Sequence, residues 1–580
     1  MSNSNTSAIE HDIAIGSHNL ASRSFVALVI TQFLTGINDN CFRWLVIGIG
    51  KYYIDADMLE MDQSTLLGVG LACFVSPYIL LATHAGFISD RHSKRNVIIC
   101  CKFAEILIML GGTIAIANQN IPLIFVMLTL MGAQSALFYP SKFGAIPEIV
   151  KESKISSANG VYNMATVGGT LLGMMLGMKL ADLTHFKEMA YLGVDGIQDV
   201  WIIGSVVIGT AVVGTCFSLL IQRLEIAAPN KDFTWNLPKQ MKRDVKTLAR
   251  QPAMLKIAFG IAFFWAISAV AQNTIDQFVV EAGGGAEVDK TTFMVTIVLG
   301  VCAGSILAGI LSAGRVELGL LPIGALGIAI TSLLMFTIDS TIFDKTRLGA
   351  VVRNVAEDTS NHVPAEVKAA PPIKSDARRP KKEHYLGIVV TKLSDGMPIA
   401  TDLRESDIIK SITVDGTKHD LSEGVERYRK VIEANLGKIA SFETLRLPPG
   451  KFQIDVMQQV AEIESAKISM AEHLDFDINL EQQSQIKTEF ILACFFLFMI
   501  GVSSGFFEVP LTSYVQHRSP KKDLGAILAA TNLITFVGML VLNGIFVGLR
   551  QEVDGEPMLS ARGVFLSIGI ATIPVCLYIV

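Results

Sequence analysis

Long apolar stretches, each close to the roughly 20 residues that a helix needs to cross a bilayer core, recur along this chain of 580 residues. Apolar residues make up 51% of the chain and charged residues only 17%, against about a quarter charged in soluble domains. We therefore expect an all-α polytopic membrane protein. About twelve spans are predicted, at residues 24–50, 65–89, 97–117, 121–140, 158–181, 201–222, 254–280, 291–313, 318–338, 488–510, 524–548 and 563–580.

The sequence lacks the signals of several other protein classes. Residues 1–23 contain no basic segment followed by a short apolar run, so they predict a tail rather than a signal peptide. The net charge of -5 gives no basic surface for nucleic acid. The eight cysteines lie in apolar stretches without a CxxC pair, which argues against a disulfide framework or a metal site. No phosphate-binding loop and no His-x-x-x-x-Asp acyltransferase core is present, so we expect neither ATP-driven pumping nor catalysis, and no cofactor.

Lysine and arginine are distributed unequally between the short loops on the two sides. Cytoplasmic loops retain basic residues, and the larger basic set falls on the cytoplasmic side if the N-terminus is cytoplasmic. The segment 223–253 between the sixth and seventh spans is also basic. We interpret it as a linker that faces solvent or lipid headgroups, in preference to a partner site.

The first and second halves of the apolar region resemble each other. AGFIS at 85–89 matches AGILS at 308–312, an offset of 223 residues, whereas ALFYPSKFG around Pro140 matches GFFEVPLTS around Pro510, an offset of 370 residues. The larger second offset predicts an insertion of about 147 residues between the ninth and tenth spans. Without the insertion the chain is a parallel repeat of six plus six helices. The predicted divisions are a tail (1–23), a six-helix half (24–222), a basic linker (223–253), helices 7–9 (254–338), a second linker (339–383), an inserted module (384–487) and helices 10–12 (488–580).

The polar insertion begins with a stretch rich in Pro, Lys and Ala, 354–383, which predicts a linker. The run GMPIATDLRESDIIKSITVDG at 396–416 resembles a PDZ domain, with Ser406 where that pattern usually has glycine. Nine preceding spans place this module outside the cytoplasm, where a spacer and a peptide or partner sensor are equally compatible with the sequence. A small α/β module is predicted from apolar alternation at 385–390, 407–414 and 441–447 and from helical spacing near 421–436.

The loop after the second span reads GFISDRHSKR over residues 86–95. A glycine, then Asp-Arg, then a basic pair resembles the cytoplasmic loop signature of the major facilitator superfamily. The resemblance implies a 12-helix major facilitator fold, with a cytoplasmic gate at which the aspartate pairs with arginine and with a helix N-terminus of the other half. The alternative is an ordinary solvated basic loop. The gate residues that match the pattern are Gly86, Asp90, Arg91 and Arg95.

A carboxylate stands inside the first span, in the sequence INDN at 37–40, and Arg43 follows one turn later. A carboxylate in a membrane helix is expensive unless it faces a polar cavity or a partner, so Asp39 predicts a functional site. The structural alternative is an ion pair between Asp39 and Arg43.

Three glycines recur every four residues in the fifth span, at Gly169, Gly173 and Gly177. Small residues at this spacing allow two membrane helices to approach closely. We interpret them as a packing surface, in preference to a substrate groove.

Several segments carry a closer resemblance, and together they cover nearly all of the chain outside the insertion. They resemble the bacterial lysophospholipid transporter family, which implies a carrier that flips lysophosphatidylethanolamine and related lipids inward across the inner membrane. The segments are QFLTGINDN at 32–40, FYPSKFGAIPEIV at 138–150, ANG at 158–160, FFWAISAV at 263–270 and GFFEVPLTSYVQ at 505–516.

The resemblance also implies a site for the lipid headgroup. Asp39 and Asn40 in the first span and Lys142 in the fourth suit a zwitterionic head, because ammonium prefers a carboxylate and phosphate prefers an ammonium. Lys142 reaching to the interface instead is the alternative. Gln272 stands where the family has an arginine, and Arg43 is a candidate replacement for it. Two further candidates complete the set: Asn159 and Glu508, of which Glu508 could equally be structural.

These features predict a secondary transporter of the bacterial inner membrane that works by rocking of its two halves, with lysophospholipid and membrane lipids as partners. Members of the resembled family occur fused to an acyltransferase that reacylates the imported lipid, so we expect such a domain after Val580 or as a partner. One alternative is a multidrug or small-solute exporter of the same fold. Another is a membrane sensor or scaffold that uses the PDZ-like insertion.

Overall fold

A computed structural model describes the helical region and parts of the insertion. The described residues are 19–55, 63–183, 197–232, 236–281, 287–312, 315–338, 350–358, 387–393, 407–422, 425–435, 439–446, 453–455, 460–464, 472–479, 485–550, 552–553 and 556–579. The α-helices in chain order are α1 (Arg23–Asp55), α2 (Gln63–Arg91), α3 (Lys94–Ala117), α4 (Ile121–Ile149), α5 (Ile155–Leu183), α6 (Ile197–Leu219), α7 (Leu237–Ala249), α8 (Pro252–Glu281), α9 (Glu287–Leu311), α10 (Leu320–Phe336), α11 (Val425–Ala434), α12 (Gln485–Arg518), α13 (Leu524–Leu549) and α14 (Ala561–Ile579).

Most of these helices are built to cross a membrane. Among the residues that the structure describes, ten helices are long and apolar enough to do so, and two more apolar helices, within α10 and α14, are shorter. They follow the order of the predicted spans. Helix α7 differs from the membrane helices, because only one of its faces is buried. The buried residues Gln240, Asp244 and Leu248 recur every four residues, and the helix packs against α13 and α8.

The membrane helices pack in two sets. Helices α1 to α6 contact one another and form the N-terminal half, and α8 to α10 with α12 to α14 form the C-terminal half. Each half has a buried apolar core of its own, centred on residues such as Phe42 and Leu128 in the first and Ile257 and Leu511 in the second.

Helix α1 lies directly on the glycine surface of α5. A Cβ atom on Gly169, Gly173 or Gly177 would lie 2.3–2.5 Å from a backbone oxygen of α1. Real side chains do not approach backbone this closely, so only glycine permits this contact. The predicted packing role of the three glycines is confirmed.

Two seams join the halves at one end of the bundle. Helix α2 packs against α13, and α5 packs against α9. Glycines make both seams tight, since a Cβ on Gly86 would lie 2.8 Å from the Gly525 oxygen and a Cβ on Gly160 would lie 2.3 Å from the Ser305 oxygen. We call this the gate end. The helix termini at this end include Arg91, Ile155, Leu311 and Leu524.

The insertion between α10 and α12 contributes a separate sheet. Its strands are β1 (Ala350–Asp358), β2 (Gly387–Leu393), β3 (Ile408–Val414), β4 (Thr417–Asp420), β5 (Ile439–Arg446), β6 (Gln453–Asp455), β7 (Val460–Glu464) and β8 (Glu472–Asn479). They pair in the order β6-β7-β1-β2-β3-β5-β8, with β4 on β3, and only β1 and β7 are parallel. Two short strands, β9 (Glu552–Val553) and β10 (Glu556–Pro557), pair after α13.

The sheet differs from the sequence prediction at its start. Strand β1 lies within the predicted linker 339–383, where it pairs with β2 and β7 ahead of the prolines of that linker. The strands predicted at 407–414 and 441–447 and the helix near 421–436 are confirmed by β3, β5 and α11. Most of the PDZ-like run 396–416 lies outside the described residues, and its end forms a tight β3–β4 turn with positive φ at Asp415 and Gly416.

Candidate functional site

A cavity that is partly open to solvent lies between the two halves. Helices α1 and α5 line one side, and α8, α9, α10, α12 and α14 line the other. Most of its wall is apolar, including Trp44, Trp265, Phe264 and Phe565. The polar side chains of the wall are Arg43, Asn163, Thr166, Thr170, Ser268, Gln272, Ser332, Ser504 and Thr572.

The cavity is closed off toward the gate end. Asn163 lies in its wall and donates from Nδ2 to the Ser305 hydroxyl at 2.9 Å, which joins α5 to α9. At about 1.5 Å per residue, Asn163 lies about 12 Å along α5 from the gate end, and Gln272 lies about 30 Å along α8. The cavity therefore extends from near the bilayer middle toward the opposite end.

Arg43 places a positive charge in the cavity wall. Its guanidinium lies 5.6 Å from the ring centroid of Trp44 and 5.7 Å from that of Phe74. Within the described part of the chain the guanidinium has no hydrogen-bond partner, and the buried Nε of Arg43 and Nε1 of Trp44 are both unpaired. An arginine held on aromatic faces with its donors free is suited to an oxyanion.

The structure brings Arg43 and Gln272 into this one cavity, as members of its lining. Asp39 lies one helical turn away but does not line it: its Oδ2 accepts a hydrogen bond from Ser135 at 2.5 Å, and its Oδ1 has no partner. The alternative ion pair between Asp39 and Arg43 is not formed among the described residues.

Asn40 and Lys142 lie near the cavity, outside its lining. The Asn40 amide donates to the Gly36 oxygen at 2.9 Å and to the hydroxyl of Thr170, a lining residue, at 3.4 Å. The Lys142 Nζ atom lies 5.0 Å from the ring centroid of Phe138 and 5.7 Å from that of Tyr139. Aromatic faces therefore surround this ammonium group.

Glu508 is buried on α12 and accepts a hydrogen bond from Thr512 on the same helix at 2.8 Å. It forms no ion pair with any residue that the structure describes. The structure does not bring it into contact with Asp39, Arg43 or Lys142.

Asp90 joins the two halves at the gate end. Its side chain, fully buried at the end of α2, accepts hydrogen bonds from the backbone N–H groups of Gly525, at 2.7 Å, and Ala526, at 3.1 Å. Both residues lie in the first turn of α13, where the N–H groups lack partners within their own helix and the helix dipole is positive. A carboxylate at this position satisfies both the hydrogen bonds and the dipole.

The cation that pairs with Asp90 comes from the linker between the halves. Lys231 Nζ lies 2.6 Å from an Asp90 oxygen and 3.6 Å from an oxygen of Asp523, which precedes α13. One ammonium group therefore contacts carboxylates of both halves. The sequence interpretation treated Lys231 as one of several solvated basic residues and did not single it out.

The other gate residues support this arrangement from the N-terminal half. Arg91 donates to the Lys231 backbone oxygen at 3.2 Å. Arg95 donates to the oxygens of Ile221 at 2.6 Å and Leu219 at 3.1 Å, which lie at the end of α6. Cations at a helix C-terminus are stabilised by its dipole and free carbonyls.

Asn159 lies on α5 near the gate end, outside the cavity wall. Its Nδ2 donates to Gln516 Oε1 at 2.7 Å, and Gln516 Nε2 donates back to Asn159 Oδ1 at 3.1 Å. The Ser513 hydroxyl accepts a further bond from Asn159 at 3.0 Å. This buried amide pair joins α5 of one half to α12 of the other.

A buried ion pair within the N-terminal half was missed from the sequence. Lys102 and Glu105 on α3 are fully buried and 2.5 Å apart, and Glu105 also accepts from Asn38 on α1 at 2.8 Å. The sequence contained a signal for this pair, because two charged residues inside one apolar span are costly in free energy unless they pair. A second pair, Lys94 with Glu148, joins α3 to α4 at 2.5 Å.

Comparison with known proteins assigns the family. The Major Facilitator Superfamily model matches residues 20–352, more than half of the chain. The chain therefore belongs to the Major Facilitator Superfamily, and it is a multi-pass membrane transporter. The helical arrangement agrees: the fucose:proton symporter FucP in its outward conformation aligns at a TM-score of 0.54 with 10% identity, over 96% of this chain and 97% of that one. The human organic anion transporter MFSD10 aligns at a TM-score of 0.53 with 10% identity, over 96% of this chain and 99% of that one.

Sequence relatives point to a narrower group. The chain is 27% identical to the lysophospholipid transporter LplT of Cronobacter sakazakii over 289 residues, 50% of this chain and 66% of that protein. It is 30% identical to LplT of Pectobacterium carotovorum over 175 residues, 30% and 40% of the two chains. It is 24% identical to LplT of Serratia proteamaculans over 336 residues, 57% and 77%. The matched segment thus spans less than two thirds of the first two relatives.

Proposed function

We propose that this protein moves lysophospholipids between the leaflets of a bacterial inner membrane by alternating access of its two halves. The observation that carries the proposal is the Arg43 guanidinium, with its donors unpaired, in the wall of an otherwise mainly apolar cavity. A lysophospholipid has one phosphate-bearing head and one acyl chain, so it needs one cation beside a large apolar surface. The similarity to proteins named lysophospholipid transporters supports the same cargo.

In this proposal Arg43 binds the headgroup phosphate, and Trp44 donates its indole N–H beside it. Gln272, across the same cavity, offers an amide where the resembled family has an arginine, so the positive charge comes from α1 instead of α8. Asp39 and Asn40, close to Arg43 on α1, are proposed to receive the ammonium group of an ethanolamine head. Lys142 and Glu508 are proposed to contribute to substrate binding when the cavity opens toward the gate end.

The gate contacts of Asp90 and Asn159 are proposed to close the cytoplasmic side, which leaves the cavity accessible from the outer leaflet. This assignment makes the N-terminus cytoplasmic and the inserted sheet extracytoplasmic, as the lysine and arginine distribution favours. We further propose that an acyltransferase, fused to the chain or acting as its partner, consumes the lipid that arrives at the inner leaflet.

The test is uptake of labelled lysophosphatidylethanolamine by spheroplasts that express the protein. Removing one charged hydrogen-bond donor to the phosphate costs about 1.5–3 kcal/mol, so Arg43→Gln is expected to lower uptake at limiting substrate by about tenfold or more. Arg43→Lys keeps the charge and is expected to retain part of the uptake. Arg243→Gln, on the exposed face of α7, is the matched control and keeps wild-type uptake.

Three results would distinguish the alternatives. Wild-type uptake that Arg43→Gln leaves unchanged would refute the assigned phosphate site. Absence of wild-type uptake, with the protein present in the membrane, would favour a small-solute exporter of the same fold. Unchanged uptake after removal of the inserted sheet would count against a sensor role for the insertion in transport.

A further inference from the structure

A groove opens at the gate end, separate from the central cavity. Lys151 and Glu152 line it from the loop between α4 and α5 in the N-terminal half. Arg315, after α9, and His517 and Arg518, at the end of α12, line it from the C-terminal half. The groove therefore exists only while the two halves are together at this end.

Closure of the seam brings three basic side chains from the two halves into this groove. Lys151, Arg315 and Arg518 are exposed, and none of them forms an ion pair or a side-chain hydrogen bond with another described residue. The lining also contains one carboxylate, Glu152, which contacts His517, so basic groups outnumber acidic ones in the groove. Three like charges from two halves repel one another, so this arrangement opposes closure unless an anion occupies the groove.

The loop that presents Arg315 is held in place across the seam. The Ser156 hydroxyl donates to the Arg315 backbone oxygen at 3.2 Å, and the Ser157 hydroxyl donates to the Gly309 oxygen at 2.8 Å. The nearby Glu317 carboxylate accepts from the Gly319 backbone N–H at 3.1 Å. The arginine backbone is thus fixed by the other half, and its side chain is left available to a ligand.

We propose that this groove binds the phosphate of an anionic phospholipid headgroup, which bridges Lys151 to Arg315 and Arg518 and stabilises the closed gate end. Guanidinium groups bind phosphate oxygens through paired donors, and an ammonium adds a point charge. Basic pockets between membrane helices at the cytoplasmic surface are where anionic headgroups bind. The proposal depends on the proposed function only for the side of the membrane that the gate end faces.

A ligand that binds only the closed arrangement shifts the equilibrium toward it, by an amount set by its concentration and dissociation constant. Coupling is reciprocal, so opening of the seam weakens binding of the lipid by the same factor. Anionic lipid at this surface would therefore hold the transporter closed at the gate end between transport events.

The test measures binding without transport. The full chain in neutral detergent is titrated with dioleoylphosphatidylglycerol or dioleoylphosphatidylcholine, and bound lipid is counted by native mass spectrometry. We expect the wild type to bind dioleoylphosphatidylglycerol about tenfold more tightly than dioleoylphosphatidylcholine. The variant Arg315→Gln/Arg518→Gln is expected to lose about tenfold or more of the affinity for the anionic lipid. The matched control is Arg243→Gln/Arg250→Gln, which removes two exposed arginines of the linker outside the groove and is expected to bind within about twofold of wild type.

Each outcome decides the proposal. Equal binding of both lipids by the wild type, or equal loss in the groove variant and the control, would overturn it. Competition by millimolar inorganic phosphate would assign the groove to free phosphate and overturn the lipid assignment, whereas no competition supports a membrane headgroup. Because no cargo is moved in this assay, failure of lysophospholipid uptake leaves its result unaffected.

Discussion

Replacement of Lys231 tests whether the linker holds the gate end closed. In Lys231→Gln, Asp90 keeps its two bonds to the start of α13 but loses the ammonium group 2.6 Å away. The change also removes the contact to Asp523 at 3.6 Å. We expect the variant to fold and to populate the open gate end more often, because the halves have separate cores.

The magnitude follows from the burial of the pair. The Asp90 side chain is 0% exposed and that of Lys231 is 13% exposed. Breaking a buried pair by removing one partner costs about 3–5 kcal/mol, and the partial exposure of Lys231 favours the lower value. A cost of about 3 kcal/mol raises the open-to-closed ratio on the order of 100-fold.

The assay is hydrogen exchange of the peptide that contains Gly525 and Ala526. Their N–H groups lie in the first turn of α13, so in the closed state Asp90 is their acceptor and opening exposes them. We expect faster exchange of this peptide in Lys231→Gln and unchanged exchange in Lys239→Gln, which alters an exposed lysine of the same linker. Equal exchange in the wild type and Lys231→Gln would refute the assigned role.

Three further predictions concern other contacts. Asn159→Ala leaves the buried Gln516 amide unpaired and is expected to cost about 1–3 kcal/mol of stability. The double variant Asn159→Ala/Gln516→Ala is expected to cost less than the sum of the two single variants, and additive losses in thermal unfolding would contradict the pairing. Gly173→Val forces a Cβ toward the Ile37 backbone oxygen and is expected to lower the unfolding temperature strongly. Gly168→Ala is expected to be tolerated, because the nearest neighbour of its Cβ would be 4.0 Å away. Equal effects of the two variants on the unfolding temperature would contradict the packing. Burial raises the pKa of Asp244 on α7 from 3.8 to about 7, and an undocked α7 therefore releases the proton at lower pH than a docked one. Docking of α7 is expected to weaken as the pH rises from about 4 to about 7. An asparagine does not ionise, so the thermal stabilisation by Asp244→Asn should be larger at pH 8 than at pH 5. A stabilisation that is independent of pH would refute this.

The fold could be predicted largely from the sequence because its strongest signals are local. Each span is visible as an apolar stretch, and the glycine spacing in α5 reports a close helix contact without any knowledge of the partner. The start of the inserted sheet was not predictable in the same way. Strand β1 is defined by its pairing with β2 and β7, which follow it by many residues, and its sequence AVVRNVAED lacks the strict apolar–polar alternation that marks a half-buried strand.

Side-chain partners at the gate were only partly predictable. The contact of Asp90 with a helix N-terminus follows from the loop motif and from helix electrostatics, and the structure contains it. The partner cation was expected to be an arginine, yet the contact is made by Lys231, one of several basic residues in the linker. No pattern in the sequence distinguishes that lysine, because its role depends on where the linker crosses the seam.

The positions of the polar contacts suit the proposed mechanism, in which the halves separate at one end while each half stays intact. Bonds between the halves at the gate end involve residues near helix termini, such as Asp90 with α13 and Ser157 with Gly309, where water can replace a broken bond once the halves separate. Bonds within a half lie farther from the helix ends: Glu105, near the middle of α3, holds both Lys102 and Asn38 in the buried interior. Separation at the gate end therefore costs little beyond the contacts named here, whereas separation of α1 from α3 would leave charges unpaired in the bilayer. This difference makes rigid-body rocking of the halves the motion of lowest cost.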